Sequence, residues 1–127
     1  MRSAPALLAA CTLIAVAAPG AARDRNAVPT ATPNGEARSC VPISQLRDSI
    51  VRNDRVIDFR VAGNRYYRVT LPQDCPGLGA ERRFAYSTSL SQLCQQDIIT
   101  VLYQAPLMRG ASCGLAPFQP VRIERRR

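Results

Sequence analysis

RVIDFRVAGNRYYRVTL, residues 55–71, is the stretch that decides the fold. Ile57, Phe59 and Val61 alternate with Asp58 and Arg60, and Tyr67, Val69 and Leu71 alternate with Arg68 and Thr70. A period of two describes strands with one buried face. A two-residue Gly63-Asn64 loop would set Phe59 opposite Arg68 and spoil that face. A three-residue loop, Ala62-Gly63-Asn64, sets Phe59 opposite Tyr67 and Ile57 opposite Val69. It also puts Asn64, which tolerates positive φ, at the left-handed position such loops need. The pattern therefore selects the longer loop.

Downstream, Pro72 ends the second strand, and Cys75-Pro76-Gly77-Leu78 has proline and glycine at the central positions of a type II turn. Gly77-Leu78-Gly79 is a lone G-x-G with no helix signal after it, which reads as a turn. A third strand is predicted over 82–88 with Phe84 and Tyr86 on one face. Ser89-Leu90-Ser91-Gln92 has the form of a capping box, which predicts a helical turn carrying Leu93 and Cys94. Asp97–Tyr103 (DIITVLY) is apolar on both faces, as a central strand is. Residues 104–117 read as a long loop. A last strand over 118–123 contains Pro120, restricting it to an edge or a bulge. Upstream, Pro42 with Ile43, Leu46 and Ile50 at helical spacing predicts a short helix. Residues 23–39 contain almost no bulky apolar side chain and read as a flexible tether. The expected class is mainly β, or small α+β, with about five short antiparallel strands in an up-and-down meander and one or two short helices.

The first 22 residues, MRSAPALLAACTLIAVAAPGAA, form a signal-peptide pattern: Arg2, an apolar run from Ala4 to Ala18, and small residues at Gly20 and Ala22. That run falls short of the ~20 apolar residues that span a bilayer. Cleavage before Arg23 leaves 105 of the 127 residues, one domain's worth. The competing reading is a lipoprotein acylated at Cys11 in Leu8-Ala9-Ala10-Cys11. Against it, only ten residues precede Cys11 and the apolar run continues beyond it. Export to the periplasm or beyond makes Cys40, Cys75, Cys94 and Cys113 disulfide candidates. In a meander, Cys75 and Cys113 fall at one end of the sheet. A helix from Pro42 would bring Cys40 to Cys94 at the other. Cys40–Cys94 with Cys75–Cys113 is the favoured pairing, and Cys40–Cys75 with Cys94–Cys113 is the local alternative.

The chain has no His and no Lys, so all 17 basic residues are Arg. This excludes Ser-His-Asp and Cys-His nucleophile systems, Ser-Lys dyads and a Walker loop, and the residues suggest no cofactor and no metal site. Of the carboxylates, Asp54 and Asp58 flank the start of the first strand, Asp74 and Glu81 flank the Pro-Gly turn, and Asp97 opens the central strand. Their spacing demands no catalytic pair; salt bridges and polar strand ends account for them. The net charge of +8 falls to +7 with loss of Arg2, which favours acidic partners. Arg65-Tyr66-Tyr67-Arg68 and Arg82-Arg83-Phe84-Ala85-Tyr86 interleave Arg with aromatics, as stacking platforms do and as any amphipathic strand does. The basic tail 124–127 adds Arg125, Arg126 and Arg127. The candidate anion-binding set is therefore Arg65, Arg68, Arg82, Arg83, Arg125, Arg126 and Arg127.

CPGL (75–78), ERRFAYSTSLSQLC (81–94), DIITVL (97–102) and CGLAPFQPV (113–121) resemble a family of small secreted bacterial proteins classed as a domain of unknown function. The resemblance covers roughly Cys40–Val121. It implies an envelope location and one domain, and it brings no activity or site residues. Ala116 departs from it, where a glycine is expected. The reading that follows is a non-enzymatic envelope protein whose partner, an anionic envelope component or another envelope protein, meets an Arg-rich face. Nucleic acid is not an expected ligand, and no transmembrane span is expected. The alternative is a proteinaceous inhibitor or accessory subunit of an envelope enzyme, acting through an edge strand or the 104–112 loop.

Overall fold

A computed structural model describes residues 13–88 and 90–125; Cys11, Ser89, Arg126 and Arg127 lie outside the described residues. The protein is mainly β and antiparallel, with two disulfides. Its strands are β1 (Ala31–Pro33), β2 (Cys40–Pro42), β3 (Leu46–Val51), β4 (Val56–Val61) and β5 (Arg65–Thr70), then β6 (Phe84–Tyr86), β7 (Gln92–Cys94), β8 (Ile98–Gln104), β9 (Leu107–Gly114) and β10 (Gln119–Ile123). One helical turn, α1 (Leu78–Glu81), precedes β6. Among the described residues three sheets form, in the orders β1-β10-β5-β4-β3, β2-β7 and β6-β8-β9. No helix among the described residues is long and apolar enough to cross a membrane.

The β4–β5 hairpin has the register its apolar pattern demands: Phe59 faces Tyr67 and Ile57 faces Val69. Asn64 has φ 55° as the three-residue loop requires, and Gly63 is left-handed too at 76°. Ile57, Phe59, Val61, Tyr67 and Val69 point inward and pack against Ile99 and Val101 of β8. Phe118 closes the core, its ring centroid 5.6 Å from Phe59 and 6.4 Å from Tyr67. The Cys75–Leu78 turn is as expected, with Leu78 N–H donating to the Cys75 carbonyl (3.1 Å) and Gly77 at φ 83°. Unlike the plain turn read from Gly77-Leu78-Gly79, it leads into α1, because Asp54 Oδ1 accepts the Gly79 N–H at 2.7 Å.

Several expectations are corrected. The helix from Pro42 is absent: residues 40–51 form β2, a 3-10 turn (Ile43–Gln45) and β3. A bulge between Leu46 and Asp48 shifts which side chains face the core, so Leu46 and Val51 both lie over β4. The bulge breaks the period of two and leaves a spacing that imitates a helix. The helical turn at Leu93 and Cys94 is instead β7, because Val41 and Cys40 pair with those residues. Residues 107–114 of the expected long loop form β9 against β8. The strands do not follow a meander, since β10 inserts between β1 and β5. Pro120 is accommodated there because residues 34–37 opposite it leave the strand pairing and need no N–H from it; Asn34 N–H donates to the Pro120 carbonyl (3.0 Å), and an isolated bridge, Arg38–Phe118, follows. Part of the expected tether is thus structured.

The disulfides are Cys40–Cys94 and Cys75–Cys113, the favoured pairing. The route differs from the one expected. Cys40 and Cys94 are direct partners across β2 and β7, and no helix brings them together.

Candidate functional site

Two of the candidate arginines serve the fold. Asp58 is fully buried, and Arg68 donates to it from Nε (2.8 Å, Oδ1) and Nη2 (3.0 Å, Oδ2). Arg52 completes the triad, its Nε 2.8 Å from Asp58 Oδ2. Two guanidinium groups thus satisfy one carboxylate on the sheet face opposite the core, where an unpaired buried charge would cost several kcal/mol. Arg68 also donates from Nη1 to the Pro29 carbonyl (2.9 Å). Arg82 sits at φ 56°, a left-handed position uncommon for a side chain of its size. From there its guanidinium donates to the carbonyls of Val51 (3.1 Å) and Arg25. Arg68 and Arg82 therefore hold the incoming 25–30 segment against the sheet.

The remaining candidates separate. Arg65 and Arg68 are three apart on β5, so they point to opposite faces. Arg83 is exposed beside β6, and Arg125 lines a different cavity with Val28, Pro29, Arg52 and Ile123. One outward face built from Arg65, Arg68, Arg82 and Arg83 is not formed, because Arg68 and Arg82 are engaged within the chain. Three of the five candidate carboxylates are engaged likewise, while Asp74 and Glu81 form no side-chain hydrogen bond or ion pair among the described residues. Asp54 accepts the Gly79 N–H, Asp58 the two guanidinium groups, and Asp97 Oδ2 the Cys94 N–H at 2.7 Å.

Arg65 instead joins a residue that the sequence reading assigned to the tether. Arg38 is fixed by the two backbone hydrogen bonds of its bridge to Phe118 (2.9 and 2.8 Å), and its guanidinium carbon stands 6.0 Å from the centroid of the Tyr67 ring. Arg65, at the start of β5, donates from Nε to the Ala62 carbonyl (3.1 Å). Between them runs a groove of about 460 Å³, floored by Val61, Tyr67 and Pro120 and walled by Asn34–Ala37. Compared with family models, curated proteins and solved structures, the chain matches none of them. The groove must be read from its own chemistry. Both arginines are exposed, and among the described residues neither forms an ion pair, the pairs there being Arg52–Asp58 and Arg68–Asp58. Arg38, stacked over the buried Tyr67 ring, and Arg65 across the groove offer two guanidinium forks, which suit an oxyanion. Glu36 on the wall disfavours a densely charged ligand over one with a single anionic group per contact. Arg38 was not legible in the sequence, because the bridge to Phe118 that fixes it is a long-range contact.

Proposed function

We propose that this chain is a non-enzymatic, exported binding protein that takes an anionic component of the bacterial envelope in the Arg38–Arg65 groove. The observation that carries this reading is the convergence of two exposed arginines, without carboxylate partners among the described residues, beside Tyr67. The leader pattern and the two disulfides support export, and membership of the secreted family that the CPGL and DIITVL segments resemble is proposed on the same footing. The positive net charge raises the encounter rate with an anionic surface, while the groove supplies the contact.

Binding of the oxidised protein to phosphatidylglycerol vesicles, across a salt series, tests this. The Arg38→Ala, Arg65→Ala double variant is expected to lose binding at low salt, and the Arg82→Ala, Arg83→Ala double variant is expected to retain most of it. Each pair removes the same charge, so a difference isolates the groove from net charge. Equal losses in the two variants, or no binding by wild type at low salt, would overturn the proposal.

A further inference from the structure

Asn34-Gly35 is the chain's one Asn-Gly dipeptide, and it stands in the wall of the Arg38–Arg65 groove. The fold does not require the glycine. Gly35 is not left-handed, and a Cβ added to it would stand 3.4 Å from Pro120 Cγ, an ordinary contact. What the glycine provides is an unshielded main-chain nitrogen next to an asparagine side chain. Both residues are exposed, and among the described residues neither the Gly35 N–H nor the Asn34 side-chain amide forms a hydrogen bond. The rest of their backbone is held: the Asn34 N–H donates to the Pro120 carbonyl (3.0 Å), and the Gly35 carbonyl accepts from Gln119 Nε2 (2.9 Å). Arg38 and Arg65 line the same groove, and their positive field favours loss of the Gly35 amide proton, offset in part by Glu36.

We propose that Asn34-Gly35 is a modification site that limits the lifetime of anion binding: spontaneous deamidation of Asn34 puts a second carboxylate in the groove wall. The effect on binding rests on the anion-binding reading above; the modification itself does not. The Gly35 nitrogen, having given its proton to hydroxide, bonds to Asn34 Cγ, and the Cγ–Nδ2 bond breaks to release ammonia. Water then opens the five-membered imide that results. Opening at Cγ gives aspartate, and opening at the Asn34 main-chain carbonyl carbon gives isoaspartate. The sum is one water in and one ammonia out, with no change of oxidation state. Either product carries a carboxylate, so the groove passes from two arginines against Glu36 to two arginines against two acids, which repels an anion. Isoaspartate also threads the main chain through Asn34 Cβ and Cγ. That lengthens the segment between the Asn34–Pro120 hydrogen bond and the Arg38–Phe118 bridge, which together set the place of Arg38.

Ageing the full oxidised chain at mildly acidic and mildly alkaline pH, with binding to phosphatidylglycerol vesicles measured before and after, tests the proposal. In the tryptic peptide 26–38, Asn34 is expected to show the amide-to-acid mass gain, faster at alkaline pH, while Asn26 in the same peptide stays intact. Asn34→Asp and the aged wild type should bind about fivefold more weakly at low salt, the difference closing as salt screens the added charge. Gly35→Ala, whose new methyl has room, should bind equally before and after ageing. No conversion at Asn34, or conversion no faster than at Asn26, would overturn the inference and leave the groove reading standing. So would an Asn34→Asp variant that binds like wild type while the Arg38→Ala, Arg65→Ala variant still loses binding. Fresh wild type that fails to bind would overturn the groove reading and this inference with it.

Discussion

Replacing Asp58 with asparagine removes one negative charge from between two guanidinium groups and leaves the side-chain volume almost unchanged. The carboxylate is fully buried, while Arg52 and Arg68 retain 21% and 15% side-chain exposure. Breaking a buried pair by deleting one partner costs about 3–5 kcal/mol, mostly from the charge left behind. Here both arginines can turn partly toward water, so the lower end, about 3 kcal/mol, applies. For a domain near 100 residues each kcal/mol moves the unfolding midpoint by roughly 4–5 °C, giving a fall of about 12–15 °C. Circular dichroism melts of oxidised wild type and Asp58→Asn measure this directly. A companion variant, Arg52→Met, Asp58→Leu, Arg68→Met, removes the charges together and should recover most of the loss, because no unpaired ion remains. A single variant within about 0.5 kcal/mol of wild type would show that the triad is solvated in solution and that the reasoning is wrong.

Arg82→Ala removes the guanidinium bonds to the Val51 and Arg25 carbonyls. Trypsin should then cut the 23–25 region faster, with global stability lowered by only about 1 kcal/mol. Gly110→Ala forces a Cβ into the Tyr103 ring, which lies against Gly110 and Gly77. It should cost about 1–3 kcal/mol in denaturant titration, and Tyr103→Ala should suppress the Gly110→Ala penalty in a double-mutant cycle. The Cys40–Cys94 and Cys75–Cys113 bridges close loops of 54 and 38 residues in sequence separation. Replacing either pair with alanines should cost about 4 kcal/mol by the loop-entropy argument, and reduction of both should unfold the protein at 37 °C.

The 55–71 hairpin was legible because it is local. One buried face and one loop length fix its register, and no distant strand has to be known. The segments that misled are those whose structure is decided elsewhere. Leu46 and Ile50 keep helical spacing, yet β4 offers an edge that only the completed hairpin provides, and the Leu46–Asp48 bulge absorbs the mismatch. Residues 107–114 carry Gly110, Ala111, Ser112 and Gly114, too little apolar surface for any period to be seen, and the β8 ladder orders them. Ala31–Pro33 is composed like a tether, and β10 makes it a strand. For the groove, Arg65 could be nominated from the sequence. Arg38 could not, since its approach to Tyr67 depends on the bridge between Arg38 and Phe118.

Counting charges overstated how much of the basic surface is available, and the reason lies in the chemistry of arginine. A guanidinium presents five donors in a planar fork and is weakly hydrated, so it bonds backbone carbonyls and a buried carboxylate with equal ease. In a chain without lysine, every position that needs a long donor for the fold takes its arginine from the same pool that would face a partner. Arg52 and Arg68 hold Asp58, Arg55 donates to the Leu71 and Pro72 carbonyls (2.9 and 2.8 Å), and Arg82 holds the end of β3. Their charges still contribute to the long-range field that draws an anionic surface near. Their donors are spent inside the molecule, so close contact passes to arginines whose neighbours leave their forks open. Arg38, and Arg65 apart from its Nε bond to the Ala62 carbonyl, meet that condition in one groove, where the Tyr67 ring under Arg38 is held in place by Phe118.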